Sequence, residues 1–358
     1  MLRKIDFYII KKFLGTFFYA IALIISISIV FDVSENIDDF MSKDVPVKAI
    51  VFDYYLNFVP YFANLFSGLF TFIAVIYFTS KLAYNTEIIA ILSSGVSYRR
   101  LMRPYLVSAL IIAVFSYMLG NYLIPPANKK KNDFRHLYIG TRKQTNEKNI
   151  HRQIEPGVFV YMSGYNASND VGYKLTIEKF VDQKLVSKLA AEYIKWDREK
   201  KKWTIHEYNI RTIDGYTENI VQGSERDTIL NMLPEDYQVV DNIVETMTLP
   251  VLNKSIASLK LRGVNTTEYE IEKHKRRSGP FSAFILTIIG VSLASRKIKG
   301  GIGFHLGLGL LLSFSYILFM QVTTVFATSG LLAPWLAMWI PNIVYGALAF
   351  YLYRRAAK

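Results

Sequence analysis

The run FLGTFFYAIALIISISIVF, Phe13 to Phe31, carries no charged residue and follows a basic start of Arg3, Lys4, Lys11 and Lys12. Its length suits the bilayer's hydrocarbon core, roughly 30 Å thick, which takes about 20 helical residues to cross. A secretory signal is the rival reading, because Ala20-Ile21-Ala22 imitates a cleavage site. That triplet lies in the middle of the run, with Leu23 to Phe31 still apolar beyond it. A signal's apolar stretch is shorter and ends at its site. The stretch therefore reads as a retained membrane helix.

The same character recurs along the chain. Ile50 to Ser80 is broken only by Asp53, Asn57, Asn64 and small residues, and Pro104 to Ile124 is halted by Pro125-Pro126. Phe281 to Ser295, Ile302 to Ala327 and Pro334 to Tyr353 follow after a polar stretch of about 150 residues. The predicted fold is an α-helical membrane protein with six transmembrane helices, three plus three, around an inserted all-β domain. Residues 1–124 hold the first three spans, 125–278 the insert with helical connectors, and 279–358 the last three. With 51% hydrophobic residues gathered into runs and a mean hydropathy of +0.21, a soluble enzyme is excluded. Aromatic content of 15% against 20% charge excludes disorder. The absence of cysteine removes disulfides, thiolate metal sites, iron–sulfur clusters and cysteine nucleophiles. The five histidines are scattered, so no metal site is predicted.

Orientation follows from the Lys/Arg bias of the short flanks. One set of ends carries Arg3, Lys4, Lys11, Lys12, Lys81, Arg99, Arg100, Arg103, Arg296, Lys297, Lys299, Arg354, Arg355 and Lys358. The opposite short ends, about 34–49 and 328–333, carry only Lys43 and Lys48. The first set is assigned to the cytoplasm and the insert to the far side. Lys129-Lys130-Lys131 and His274-Lys275-Arg276-Arg277 flank the insert against this rule, but long translocated domains obey it poorly. These basic clusters are either compensating charge near a membrane exit or a solvated juxtamembrane face.

Within the insert, short strands alternate with turns. Val158 to Met162 ends at Gly164 and the Asn166–Asp170 cluster, and Lys174 to Phe180 alternates at period two before Asp182-Gln183. Trp196 and Trp203 bracket a charged turn, as in an antiparallel hairpin with an aromatic at each shoulder. Ile205 to Ile213 and Thr217 to Val221 continue a series that suits a sandwich, jelly roll or open barrel. Leu249 to Leu261 reads as a short helix with Pro250 in its first turn and Gly263 as its stop. Such a β-domain either hands on hydrophobic cargo or pairs with another β-domain through an exposed edge, or else caps the membrane helices.

Between spans two and three the chain reads NTEIIAILSSGVSYRRL, Asn85 to Leu101. Asn85 or Thr86 can cap a helix, and Glu87 in the first turn complements its dipole. Ile88, Ile91 and Leu92 share one face, Glu87, Ala90 and Ser94 another, and Gly95 is a stop. The predicted element, about 85–97, is either a plain interfacial connector or a docking knob for a partner.

This segment resembles the coupling helix of the LptF/LptG permeases of the lipopolysaccharide exporter. Trp203-Thr204-Ile205, the approach from Tyr269 to Pro280, Ile289-Gly290-Val291-Ser292-Leu293-Ala294 followed by Arg296, and Gly300-Gly301-Ile302-Gly303 are similar to that family as well. The resemblance implies a heterodimer with a sister permease above a pair of cytoplasmic LptB-like ABC ATPases in the bacterial inner membrane. It implies extraction of lipopolysaccharide, a periplasmic β-jellyroll feeding an LptA-like bridge, and an optional single-span LptC-like protein. The expected ATPase-coupling residues are Glu87, Ile88, Ala90, Ile91, Leu92, Ser94, Gly95, Arg99 and Arg100. On spans one and five, Phe31, Asp32, Glu35, Tyr316 and Met320 are expected at the substrate cavity or its lateral gates. In known members basic residues at the periplasmic end of span one meet lipid phosphates, whereas Asp32, Glu35, Asp38 and Asp39 stand here beside Lys43. A phosphate-binding role is therefore not carried over.

Gly303 and Gly307 form a GxxxG that predicts close helix packing, with Gly309 alongside. No GxxxxGK[ST] loop occurs, so ATP and Mg2+ are expected in a partner subunit and no cofactor in this chain. No nucleic acid partner is implied. The alternatives are a permease for another lipid or lipoprotein, a membrane-anchored lipid-modifying enzyme, disfavoured by the lack of GxSxG, and a structural assembly factor.

Overall fold

A computed structural model describes residues 4–139, 148–166, 169–198, 200–215, 217–234, 243–261, 264–296 and 301–356. The chain forms two compact units, one of residues 1–140, 244–253 and 267–358, the other of 141–243 and 254–266.

The first unit is helical. It contains α1 (Lys4–Ser42), α2 (Val47–Tyr84), the short α3 (Glu87–Ser93) and α4 (Tyr98–Ile139). After the strands come α5 (Ile243–Thr246) and α6 (Leu249–Leu261), which run up to and across the border between the units, then α7 (Thr267–Ser278), α8 (Phe281–Ala294), α9 (Gly301–Thr328) and α10 (Pro334–Ala356). Five of these helices are long and apolar enough to cross a membrane, and α7 with α8 makes a sixth candidate bent by 47°. The 14 residues of α8 cover only about 21 Å at 1.5 Å per residue. The fourth crossing is thus a broken helix rather than the single run expected at Phe281 to Ser295. The break falls at Gly279-Pro280, where the proline cannot donate into the preceding turn.

Pro125 and Pro126, expected to halt the third apolar run, do not end the helix. A wide π turn at Leu119–Leu123 restarts the helical ladder, so both prolines sit in the first turn of the next segment. Their missing N–H groups have no partner to lose there. A second wide turn, Ile50–Tyr55 in α2, sets two tyrosine hydroxyls on one carboxylate of α1. Tyr54 donates to Asp32 Oδ1 at 3.2 Å and Tyr55 to Oδ2 at 3.0 Å.

At the centre lies α2, packed against α1, α4, α8 and α9. Lipid tails are as apolar as leucine, so close van der Waals contact and interhelical hydrogen bonds hold membrane helices together. Close contact is made where α2 meets two glycines. A Cβ on Gly290 would overlap Val75 Cγ1, and one on Gly309 would overlap Ile76 Cδ1. Gly303 and Gly307, the predicted packing pair, face nothing within 4 Å in this chain. A GxxxG motif marks a smooth helix face, but what stands opposite decides whether it packs. Polar ties reinforce the bundle: Thr79 to Tyr105 at 3.2 Å, Ser116 to Asn64 at 2.6 Å, and Asn342 to the Ser278 carbonyl at 3.0 Å.

The second unit is an antiparallel meander of six strands: β1 (Lys148–Glu155), β2 (Val158–Asn166), β3 (Val171–Val181), β4 (Lys184–Asp197), β5 (Lys202–Asp214) and β6 (Thr217–Thr228). Each strand pairs with the next, leaving β1 and β6 as the edges of an open sheet. The aromatic-shouldered hairpin is present, with Trp196 opposite Trp203 and their rings 5.1 Å apart, edge to face. One face is covered by a core of Val160, Met162, Leu175, Ile194, Trp203 and Ile205. Trp203 Nε1 donates to the Met232 carbonyl at 2.9 Å, which draws the chain after β6 back over this face.

Candidate functional site

Only Asn85 and Thr86 separate α3 from α2, and only four residues, 94–97, separate it from α4. The predicted side-chain cap is absent. Thr86 takes a left-handed φ of 62° and its hydroxyl bonds the Asn85 carbonyl at 2.6 Å, while Asn85 Nδ2 donates to Glu87 Oε1 at 3.3 Å. Gly95 ends the helix with φ 83°, a conformation that favours glycine. Ser97 then caps α4 by accepting the Arg100 N–H at 3.3 Å.

The expected coupling residues divide by exposure. Ile88 is buried and Ile91 half-buried against the helical core. Ala90, Leu92, Ser94 and Gly95 are exposed, Glu87 is half-buried, and Ile89, absent from the expected set, is 51% exposed. Arg99 is exposed. Arg100 instead forks onto Asp6 of α1, with its two nitrogens 2.8 and 2.5 Å from the two carboxylate oxygens. Asp6 is only 3% exposed, and 94 residues separate the partners. A bidentate guanidinium–carboxylate pair fixes orientation as well as distance. The helix following α3 is therefore bolted to α1, a tie that no local pattern in the sequence signals.

The expected cavity residues divide into two groups, Phe31, Asp32 and Glu35 on α1 and Tyr316 with Met320 on α9. Phe31 is 74% exposed on α1 and Glu35 is exposed beside it, but Asp32 is occupied by the two tyrosines. Asp39 lies 3.9 Å from Lys43, and of the four acids noted on α1 this leaves Glu35 and Asp38 exposed, with Asp44 exposed just beyond the helix. On α9, Tyr316 faces inward rather than outward. Its hydroxyl donates to Asn342 at 2.9 Å and its ring meets Tyr345 edge to face. Met320 is half-buried near it. The exposed stripe of α9 is Leu311, Phe314, Leu318, Val322 and Val325, at helical spacing. A matching stripe on α1 runs through Tyr19, Leu23, Ile27 and Val30. The most apolar windows of α1 and α9 are each 22% buried, against 28–44% for α2, α4 and α10. These two helices thus carry the least-covered apolar windows of the five unbroken candidate spans.

Tyr316 and Met320 line a partly open cavity of about 190 Å³ together with Tyr61, Asn64, Glu245 and Glu272. Arg276 is buried at its wall and donates to Glu272 at 2.7 Å and to the Met247 and Val244 carbonyls at 2.7 and 3.2 Å. It is neither a solvated face nor free compensating charge; it holds α5 to α7. Burial raises the Glu245 carboxyl above the ordinary glutamate range; Glu272 adds to this, and Lys275, Lys131 and Arg276 oppose it. The folded protein therefore keeps this proton longer than the unfolded chain. Glu245's stabilising contribution is full below about pH 4.3 and lost as pH rises through the raised value. Thermal midpoints measured between about pH 4 and 8 should fall more steeply for the wild type than for Glu245→Gln. Parallel curves would contradict this.

Long apolar helices, a short helix exposed between two of them and an inserted antiparallel sheet define a multi-pass membrane protein. The sequence matches the family described as lipopolysaccharide export system permease LptF/LptG over residues 7–355. The chain belongs to that family, and its class is the permease component of a transporter. No curated protein matches the sequence.

Proposed function

We propose that this chain is the transmembrane permease subunit of an ATP-driven exporter that extracts lipopolysaccharide from the bacterial inner membrane. Hydrolysis takes place in a separate cytoplasmic ATPase pair, which holds ATP and Mg2+. The observation that carries this reading is α3, with Ile89, Ala90, Leu92 and Ser94 exposed and Ile88 buried in the bundle. A short helix held at both ends by spans moves with them, so a force on its outer face is delivered to α2 and α4. The Arg100–Asp6 fork passes that displacement on to α1.

In this mechanism α1 and α9 form the lateral gates with a sister permease. Their uncovered apolar stripes support the assignment, as does the open face at Gly303 and Gly307. Lipid squeezed from the intersubunit cavity enters the β-domain on the periplasmic side and passes to an LptA-like bridge through a free sheet edge. An LptC-like single-span protein is accommodated but not required. Glu35 and Asp38 favour a headgroup screened by divalent cations or carrying few phosphates, and the lipid that copurifies distinguishes lipopolysaccharide from another lipid or lipoprotein.

Glu87→Ala removes a charged acceptor at the docking face. Loss of such a bond weakens association by about 10- to 100-fold. The expected result is loss of the ATPase from the purified complex, or hydrolysis that continues without lipid extraction. Wild-type assembly and transport by the variant would remove Glu87 from the mechanism.

A further inference from the structure

A cavity of about 480 Å³ lies where the first turns of α4 meet α8 and α10. Met102, Leu106, Ile288, Ala349 and Phe350 supply apolar walls. Among the described residues its charged lining groups are Arg99 and Arg103, one turn apart on α4 and both exposed. Among the described residues neither guanidinium has an ion-pair partner, whereas the neighbouring Arg100 is committed to Asp6. A third cation stands close by, Arg354, whose guanidinium lies 4.8 Å from the centroid of the Phe350 ring. Gly346 also lines the cavity, and a Cβ there would meet nothing within 4 Å.

We infer that this groove binds one anionic phospholipid of the surrounding membrane, with an acyl chain against the apolar walls and the phosphate held by Arg99 and Arg103. The volume falls in the range of sites that enclose small amphiphiles. Paired guanidinium groups recognise phosphate through short charge-assisted bonds. Basic pockets between membrane helices at the end where Lys and Arg gather suit anionic headgroups. A free anion would leave the apolar walls unused, and a zwitterionic lipid would bring its own ammonium group beside two guanidiniums, weakening the attraction for its phosphate. Arg99 thereby turns from the ATPase contact expected of it to a lipid contact that does not depend on the transport reading.

The test is native mass spectrometry of the full chain with equimolar phosphatidylglycerol and phosphatidylcholine. The wild type should retain phosphatidylglycerol with about a tenfold or greater preference, the scale expected of two cations beside an anionic headgroup. Arg99→Gln/Arg103→Gln should bring the two lipids to near-equal occupancy. Gly346→Leu projects into the open groove and should reduce both adducts while leaving the thermal midpoint unchanged. Equal binding of the two lipids by the wild type, an undiminished preference in the double variant, or full occupancy in Gly346→Leu would each overturn the assignment.

Discussion

Gly290→Ala should be among the most damaging single substitutions in the helical unit, costing about 1–3 kcal/mol. The new Cβ would overlap Val75 Cγ1 and press on the Phe72 ring, and both residues are completely buried. A β-branched side chain cannot swing its methyl aside, so α8 must back away from α2. That separation would be felt at the centre of the bundle, because α2 also carries α1, α4 and α9. The clash is specific to one methyl. Val75→Ala should therefore recover part of the loss, giving a double variant more stable than the sum of its single changes by about 1 kcal/mol. Additive losses in a denaturation series would mean that Gly290 is needed for some reason other than close approach.

Breaking the Asp6–Arg100 fork should have the second large effect, in two separable parts. Arg100→Ala leaves the buried Asp6 carboxylate without its bidentate cation, and stranding a buried carboxylate is destabilising, though less than in a fully buried pair because the guanidinium side is partly exposed to solvent. The thermal midpoint should fall by several degrees. Reversing the pair as Asp6→Arg/Arg100→Asp should restore part of it, since the geometry brings the two sites together whichever carries the charge. The functional part follows from the proposed path of force. With the polar tie at this end lost and only apolar packing such as Phe13 on Tyr105 left between α1 and α4, ATP hydrolysis should continue while lipid release falls. If the reversed pair folds well and Arg100→Ala transports normally, α1 is not driven through this contact.

The fold was legible in the sequence wherever composition alone decides. Phe13 to Phe31 can be nothing but a membrane helix once the signal peptide is set aside, and Trp196 and Trp203 announce a hairpin because cross-strand aromatics flank its turn. The short helix after span two was legible too, from a first-turn acid and a stop glycine, although it covers only Glu87–Ser93 of the expected 85–97 and Thr86 makes no capping bond. What escaped was everything set by a distant partner. Arg100 looks like one more basic residue at a helix start until Asp6, 94 positions away, is folded against it. Tyr316 lies on an apolar helix whose faces the sequence does not distinguish, and only the Asn342 side chain reveals which way it points. Gly303 and Gly307 satisfy a packing motif without a helix opposite them, whereas Gly290 packs against α2 with no GxxxG to advertise it. Pro125-Pro126 would end an ordinary helix, but the wide turn before them changes which N–H groups are required.

The protein contains no cysteine, so a single cysteine introduced at Ile89, exposed on α3, can report its neighbour without background. In the intact complex, a photoreactive cross-linker on Ile89→Cys should join this chain to a nucleotide-binding subunit, and ATP should change the yield. A cysteine at Tyr19 on the apolar stripe of α1 should give no such product. If Ile89→Cys labels freely with soluble maleimide in assembled, transport-competent complex and never cross-links to an ATPase, α3 is not where force enters this protein.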